Sequence, residues 1–127
     1  MIDKKLILII DEEPDITDAL SQKLEQEGFS TIAAYNGEQG LMIIHGEPKP
    51  DLILLDLVMP TMDGFKMLEE LRKDEWGRKV PVIFLTNLDD EETVSKVMKD
   101  KGYEYLVKTE WKIEDVVSKV KEKLEGK

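Results

Sequence analysis

The sequence contains no cysteine, only one histidine and few aromatic residues, which make up 6% of its 127 positions. Without cysteine the chain can form neither a disulfide nor a thiolate metal site, which is compatible with a reducing compartment. Long hydrophobic runs are also missing, because the first one, Leu6–Ile10, has only five residues. A signal peptide core or a membrane span needs a longer run. We therefore expect a cytoplasmic protein.

Positive charge is scarce as well, with 18 Lys and Arg against 28 Asp and Glu and a net charge of −10. Direct nucleic-acid binding depends on a surplus of basic residues, so this balance argues against it. Most of the acidity is typical of a solvated surface. No flexible linker, low-complexity tract or internal repeat divides the chain. The sequence therefore predicts a single compact domain over residues 1–127.

Short apolar runs of strand length alternate along the chain with longer stretches of helical period. The predicted strands are Lys5–Ile10, Ser30–Ala34, Asp51–Leu55, Val80–Leu85 and Tyr103–Val107. The predicted helices are Pro14–Gln26, Gly37–His45, Gly64–Lys73, Glu91–Lys101 and Ile113–Leu124. This alternation predicts an α/β fold, doubly wound around a five-stranded parallel sheet. In such sheets the functional crevice lies beyond the carboxyl ends of the strands.

Polar residues follow four of the five predicted strands. They are the run Asp11-Glu12-Glu13, then Asp56, Thr86 and Lys108. Carboxylates at one crevice favour a hard divalent cation, while an ammonium and a hydroxyl can take up phosphoryl oxygens. A carboxylate can also accept a phosphoryl group covalently as an acyl phosphate. The strand ends therefore predict a phosphoryl-transfer site, although the acidic run alone is equally typical of a helix N-terminus.

Four segments in this order and spacing resemble the receiver domain of two-component response regulators. They are LILIIDEEPDI at residues 6–16, PDLILLD at 50–56, LVMPTMDG at 57–64 and YLVK at 105–108. The resemblance covers nearly the whole chain and implies a flavodoxin-like (βα)5 sheet with strand order 2-1-3-4-5. It also implies a switch that is phosphorylated by a histidine kinase or a phosphotransfer partner.

The resemblance assigns roles to individual residues. Asp56 would be the phosphoacceptor, and Lys108 would bridge its carboxylate or its phosphoryl group. Thr86 would move its hydroxyl toward a phosphoryl oxygen, and Tyr105 would rotate after it as an aromatic switch. The residues implied for binding Mg²⁺ or Mn²⁺ are Glu12, Asp11, Asp56 and the backbone carbonyl of Val58.

The same resemblance implies which surface of the domain contacts a downstream protein. The predicted helix Glu91–Lys101, the strand Tyr103–Val107 and the helix Ile113–Leu124 would form an output face for a downstream protein. The chain would be a monomer or a weak, phosphorylation-dependent dimer, without a membrane or nucleic-acid partner. It would catalyse its own phosphorylation without being a turnover enzyme. Since no residues remain after the last predicted helix for an output domain, we expect a stand-alone or excised receiver.

The sequence departs from the usual receiver pattern at three places. Glu12 stands where an aspartate is common, which moves the carboxylate by one C–C bond. Thr109 replaces the usual proline after the lysine, and a cis bond before a non-proline residue costs about 2.5–4 kcal/mol, so we expect a trans bond. Val58 and Leu88, at positions that flank the path of the attacking water, are apolar. They predict slow self-hydrolysis of the phosphorylated form.

Three other functions compete with the phosphorylated switch. An aspartyl-phosphate phosphatase needs a second aspartate two residues after the nucleophile, where this chain has Val58. A nucleotide or flavin carrier needs a glycine-rich phosphate loop, and none follows the first strand. A degenerate receiver that acts as a constitutive docking module stays open, because Glu12 and Thr109 depart from the pattern.

Overall fold

The computed structural model describes residues 4–56, 64–73, 75–86, 104–107 and 112–125, with the backbone alone at residues 64, 65, 86, 104–107 and 125. Its strands are β1 (Leu6–Ile10), β2 (Ser30–Ala34), β3 (Leu52–Asp56), β4 (Val82–Thr86) and β5 (Glu104–Val107). Its helices are α1 (Pro14–Gln26), α2 (Gly37–Ile44), α3 (Gly64–Leu71), α4 (Glu75–Lys79) and α5 (Ile113–Glu125).

The five strands form one parallel sheet in the order β2-β1-β3-β4-β5. The predicted fold class and strand order are therefore confirmed. β1 and β3 lie inside the sheet and are almost entirely apolar, because helices cover both of their faces. β3 is the central strand, and all five of its residues are buried.

Side-chain alternation along the strands divides the core into two layers. On one face, Leu8, Ile10, Ile53, Leu55 and Phe84 pack with residues of α2 and α3, and we call it the α2 face. On the other face, Ile7, Ile9, Leu52, Leu54 and Leu85 pack with residues of α1 and α5, and we call it the α1 face. Burying apolar side chains on both faces stabilises the sheet and fixes its register.

Several element boundaries differ from the predicted ones. β4 begins at Val82 instead of Val80, because the Val80 amide donates to the Trp76 carbonyl at the end of α4. β3 begins one residue later and includes Asp56, since Asp51 lies before the strand and exchanges hydrogen bonds with Leu6. Other boundaries differ from the predicted ones by one or two residues. They are the starts of β1 and β5 and the ends of α2, α3 and α5.

The structure also contains a helix that the sequence pattern did not predict. α4 has only five residues, EWGRK, which is too short to show a helical period. It brings Trp76 against the α2 face of the core, where the Lys49 ammonium lies 5.0 Å from the centre of the indole ring. The predicted helix Glu91–Lys101 lies outside the described residues.

At Gly40, helix α2 packs closely against the end of β1. A Cβ atom at this position would lie 2.8 Å from Ile10 Cδ1 and 3.2 Å from Met67 Cε. We expect Gly40→Ala to lower the free energy of unfolding by about 1–2 kcal/mol, although alanine favours a helix by about 1 kcal/mol. Urea unfolding should show a smaller loss in an Ile10→Val background, which removes the clashing methyl group. Equal losses in both backgrounds would argue against this contact as the cause.

One ion pair joins the C-terminal end of α1 to α5. The Lys121 ammonium donates a hydrogen bond to the Glu27 carboxylate and holds its pKa below the ordinary value of 4.5. A carboxyl whose pKa is lowered in the folded state stabilises the protein above its unfolded-state pKa and loses that effect as the pH falls through the folded-state value.

Glu27→Gln is therefore expected to lower the Tm slightly at pH 7, by about 1–3 °C, because the pair is exposed. The difference should shrink as the pH falls through the lowered pKa of Glu27 and vanish once the carboxylate is protonated. Calorimetry at several pH values measures this, with Glu122→Gln on the exposed side of α5 as a control of equal charge change. A difference that persists unchanged at low pH would exclude the ion pair as its source.

Candidate functional site

Asp56 is a buried carboxylate at the carboxyl end of the central strand. It is the last residue of β3, lies opposite Leu85 of β4 and is only 3% exposed. The four residues before it, Leu52–Leu55, are fully buried and anchor this end of the strand. The backbone at this end of the strand is therefore held in place by the surrounding core.

Asp11 is a second buried carboxylate, placed directly after β1 and fully shielded from solvent. Its amide donates a 3.0 Å hydrogen bond to the Ala34 carbonyl, so the sheet continues through this residue. Its Oδ1 accepts a 2.9 Å hydrogen bond from the Glu13 amide, which forms the turn into α1. Pro14 then begins the helix at a position where no amide donor is needed. Asp11 thus both shapes this turn and presents a carboxylate.

The sheet register brings these two aspartates side by side. Ile10 lies opposite Leu55, so Asp11 and Asp56 follow at the same level on neighbouring strands, which are about 4.8 Å apart. Alternation after Ile9 and Leu54 assigns both residues to the α1 face. Two buried carboxylates at this spacing repel each other, and a cation between them would relieve that repulsion.

The donor set fits a magnesium ion. Carboxylate oxygens are hard ligands, and Mg²⁺ commonly takes only one or two of them and keeps several waters. Glu12, next to Asp11, is exposed, and its role as a metal ligand stays a prediction from the family resemblance. Within the described ranges, no group of three or more His, Cys, Asp or Glu residues is arranged to hold a metal ion. The two buried aspartates are therefore the core of the candidate cation site.

Of the other predicted site residues, the structure gives a strand position for Thr86 and Tyr105 only. Thr86 is the last residue of β4, one position beyond the level of Asp56, and it lies opposite Val107 of β5. Tyr105 lies in β5 opposite Phe84. For these two residues the structure describes the strand position alone. The predicted site residues Lys108 and Val58, together with Leu88 and Thr109, lie outside the described residues.

The residue before Asp11 makes a close contact with α2 and α3 that was not predicted from the sequence. Ile10, the residue before Asp11, packs against Gly40 of α2 and Met67 of α3. The absent side chain at Gly40 lets α2 approach the end of β1 closely. A glycine inside a predicted helix was the available signal, because such a glycine commonly marks a close approach.

One ion pair at the C-terminal end of α3 shifts the pKa values of both of its partners. On the surface of α3, the Lys73 ammonium lowers the pKa of the Glu70 carboxyl through a hydrogen bond, and Glu70 in turn raises the pKa of Lys73. Of the described helices, none is long and apolar enough to cross a membrane.

Comparison with known proteins places this arrangement in a family. The family of response regulator receiver domains matches residues 7–121. The DNA-binding dual master transcriptional regulator RpaA of Synechocystis is 35% identical over 115 residues, which are 91% of this chain and 47% of that protein. A probable transcriptional regulator, ycf27, of Guillardia theta is 39% identical over 87 residues, which are 68% of this chain and 33% of that protein. The matches thus span about a third to a half of these relatives' length.

Solved structures show the same fold. A receiver domain of Francisella response regulator 1452 superimposes with a TM-score of 0.81 at 30% identity, covering 92% of this chain and 93% of that one. The signal receiver domain of a signal transduction histidine kinase from Syntrophus aciditrophicus superimposes with a TM-score of 0.84 at 31% identity. The match covers 96% of this chain and 91% of that one. The chemotaxis protein CheY4 of Vibrio cholerae, at 22% identity and a TM-score of 0.84, shares the fold over 94% of this chain and 98% of its own.

Proposed function

Because the chain belongs to the family of response regulator receiver domains, we propose that Asp56 accepts a phosphoryl group from a histidine kinase or a phosphotransfer protein. One observation carries this proposal: Asp56 is a buried carboxylate at the end of the central strand, level with the buried Asp11. A buried pair of like charges costs stability, and sites of this kind are retained where the chemistry needs them.

The chemical step is the transfer of a phosphoryl group from a donor to the Asp56 carboxylate. A carboxylate oxygen of Asp56 forms a bond to phosphorus while the bond from phosphorus to the donor breaks. With a phosphohistidine donor, the leaving imidazole nitrogen keeps the electron pair and takes up a proton. With acetyl phosphate, acetate leaves. The product is an acyl phosphate on Asp56, and the domain promotes its own modification without acting as a turnover enzyme.

Residues at the carboxyl edge of the sheet support this step. Asp11, Glu12, Asp56 and the backbone carbonyl of Val58 would hold Mg²⁺ or Mn²⁺, which when bound supplies positive charge beside the acceptor and the phosphoryl oxygens. Thr86 and Lys108 are the proposed partners of the phosphoryl oxygens. The fixed β1–α1 turn orients Asp11 before the reaction, so less ordering is needed in the transition state.

Phosphorylation would shift the domain between two conformational populations. We propose that Thr86 and Tyr105 respond to the phosphoryl group and that the output face defined above passes the change to a downstream protein. Several relatives are named as transcriptional regulators, and the chain's net charge of −10 favours a protein target over direct DNA binding. A cytoplasmic location belongs to the same proposal.

The test is phosphorylation by acetyl phosphate, followed by intact mass spectrometry. With Mg²⁺ the native protein is expected to gain one phosphoryl group, whereas Asp56→Asn gains none, because an amide is a poor acceptor. Asp18→Asn, an exposed position on α1, changes the charge equally and should be modified like the native protein. EDTA should suppress the reaction.

Two results would count against the phosphorylated switch. Equal modification of Asp56→Asn would move the acceptor to another residue. No modification of the native protein by acetyl phosphate or by a phosphorylated histidine donor would favour the docking module instead.

A further inference from the structure

β2 is an edge strand whose outer side has no strand partner within the described part of the chain. The Ser30 amide donates to Lys5 and the Ala34 carbonyl accepts from Asp11, so residues 30, 32 and 34 bond to β1. Because backbone groups alternate along a strand, the N–H and C=O groups of Thr31 and Ala33 point outward. An occupant of this edge must therefore supply backbone groups from an extended strand.

Edge strands are usually protected by charged residues or proline, and this one has neither. In a chain with 36% charged residues, the nine residues from Phe29 to Gly37 carry no charge. The exposed large hydrophobic residues of the described chain also gather here: Ile32 and Tyr35 are 38% and 39% exposed, and Met42 on α2 is 76% exposed. Ile32 and Met42 line a groove of about 320 Å³ beside the strand. This edge is typical of a contact surface.

We propose that the β2 edge binds the β2 edge of a second copy of this chain, forming a continuous ten-stranded sheet around a twofold axis. Antiparallel pairing centred on Ile32 places Thr31 opposite Ala33 of the second copy, and Ala33 opposite its Thr31. These outward residues then exchange four hydrogen bonds. The two Ile32 side chains meet at the axis in a close pair without hydrogen bonds.

Charge complementarity favours a second copy as the occupant. The twofold axis reverses the strand direction, so the amino end of β1 in one molecule comes level with the carboxyl end of β1 in the other. Lys4 and Lys5 are exposed at the first end, and Glu12 and Glu13 are exposed at the second. The β1 strands are about 14 Å apart, three strand spacings, so these charges attract each other at low salt without being in contact. Each end of the interface thus brings opposite charges level with each other.

Two features limit the strength of this dimer. A five-residue strand buries less area than a stable interface requires. Glu25, which accepts a hydrogen bond from the Thr31 hydroxyl, also lies near its own twofold mate. We therefore expect a weak dimer, with a Kd on the order of 0.1–1 mM, in which repulsion between two chains of net charge −10 offsets part of the attraction between the chain ends. It does not depend on phosphorylation of Asp56.

Sedimentation velocity on the intact chain from 10 μM to about 1 mM tests this proposal. Ala33→Pro removes an outward amide without touching the β1 ladder, and it should raise the Kd at least tenfold, whereas Ala33→Ser should leave it unchanged. Ile32→Glu places like charges together at the axis and should have the same effect. Circular dichroism melts confirm that each variant is folded.

A charge-swap experiment tests the twofold geometry independently. Lys5→Glu and Glu13→Lys should each weaken self-association at low salt, because each brings like charges level with each other at both ends of its own dimer. A 1:1 mixture of the two variants should restore it, since the mixed dimer has opposite charges at both ends.

Other outcomes overturn the proposal. A native protein that stays monomeric at 1 mM and low salt rules out a second copy as the occupant, and with it this dimer. A dimer that is insensitive to Ala33→Pro and Ile32→Glu uses another surface. A mixture that associates no better than its components excludes the antiparallel arrangement.

Discussion

Asp56→Asn is expected to melt at a higher temperature than the native protein when divalent cations are removed with EDTA. The substitution keeps the shape of the side chain and removes one of two buried charges that lie level on neighbouring strands. Repulsion at this spacing is worth about 1–3 kcal/mol in a partly screened environment. For a chain of this length we expect the Tm to rise by roughly 4–10 °C.

Adding Mg²⁺ should raise the Tm of the native protein more than the Tm of Asp56→Asn. The native protein gains stability as the cation binds the folded state, so its Tm rises with Mg²⁺ concentration. Asp56→Asn has lost one of the proposed ligands and should respond much less. Differential scanning fluorimetry across a Mg²⁺ series, with and without EDTA, measures both effects.

Asp18→Asn separates this local effect from a change in net charge. Asp18 is exposed on α1 and carries the same charge as Asp56, so its substitution should change the Tm by little in either condition. If Asp56→Asn melts lower than the native protein in EDTA, the repulsion between the two aspartates is smaller than the stabilisation that other contacts of the Asp56 carboxylate provide, such as the proposed bridge from Lys108. If its response to Mg²⁺ equals that of the native protein, Asp56 is not a ligand.

The sequence was sufficient to predict the sheet and the placement of Asp11 and Asp56 at one edge of it. Each buried strand is a short apolar run, and a polar residue follows it at once, as Asp11 follows Ile10. In a parallel sheet such residues must meet at one edge, so strand order and register bring Asp11 beside Asp56. These features depend on local pattern and on general rules of topology, which a single sequence reveals.

The features that the sequence did not predict depend on tertiary contacts. α4 is one turn and a half long, and it is held by the packing of Trp76 rather than by a periodic pattern. The start of β4 is set by the hydrogen bond from the Val80 amide to α4, which becomes visible only once that helix is known. The contact of Gly40 with Ile10 likewise requires the position of α2 on the sheet.

The phosphorylated form of this protein is expected to persist for minutes to hours rather than seconds. Hydrolysis of the acyl phosphate requires a water molecule that is oriented toward phosphorus and that loses a proton. In receivers, the residues two positions after the phosphoacceptor and two positions after the threonine flank the path of this water. Here they are Val58 and Leu88, which can neither accept nor donate a hydrogen bond.

Polar residues at these two positions should shorten the lifetime. We expect Val58→Asn with Leu88→Glu to speed the loss of the phosphoryl group about tenfold or more, because side-chain amide and carboxylate groups can orient the water. Val58→Ile with Leu88→Met keeps both positions apolar and should leave the rate nearly unchanged. The decay is followed by intact mass after removal of acetyl phosphate.

Alanine variants distinguish two ways in which Val58 and Leu88 could slow hydrolysis: by keeping water away from the phosphoryl group, or by failing to orient it. If the apolar side chains act only by covering the phosphoryl group, Val58→Ala and Leu88→Ala should speed hydrolysis as much as the polar pair does. If positioning is the missing element, the alanine variants stay slow and the polar pair alone is fast. A native lifetime of a few seconds would contradict both forms of the prediction, because water would then reach and attack the acyl phosphate without help from either position.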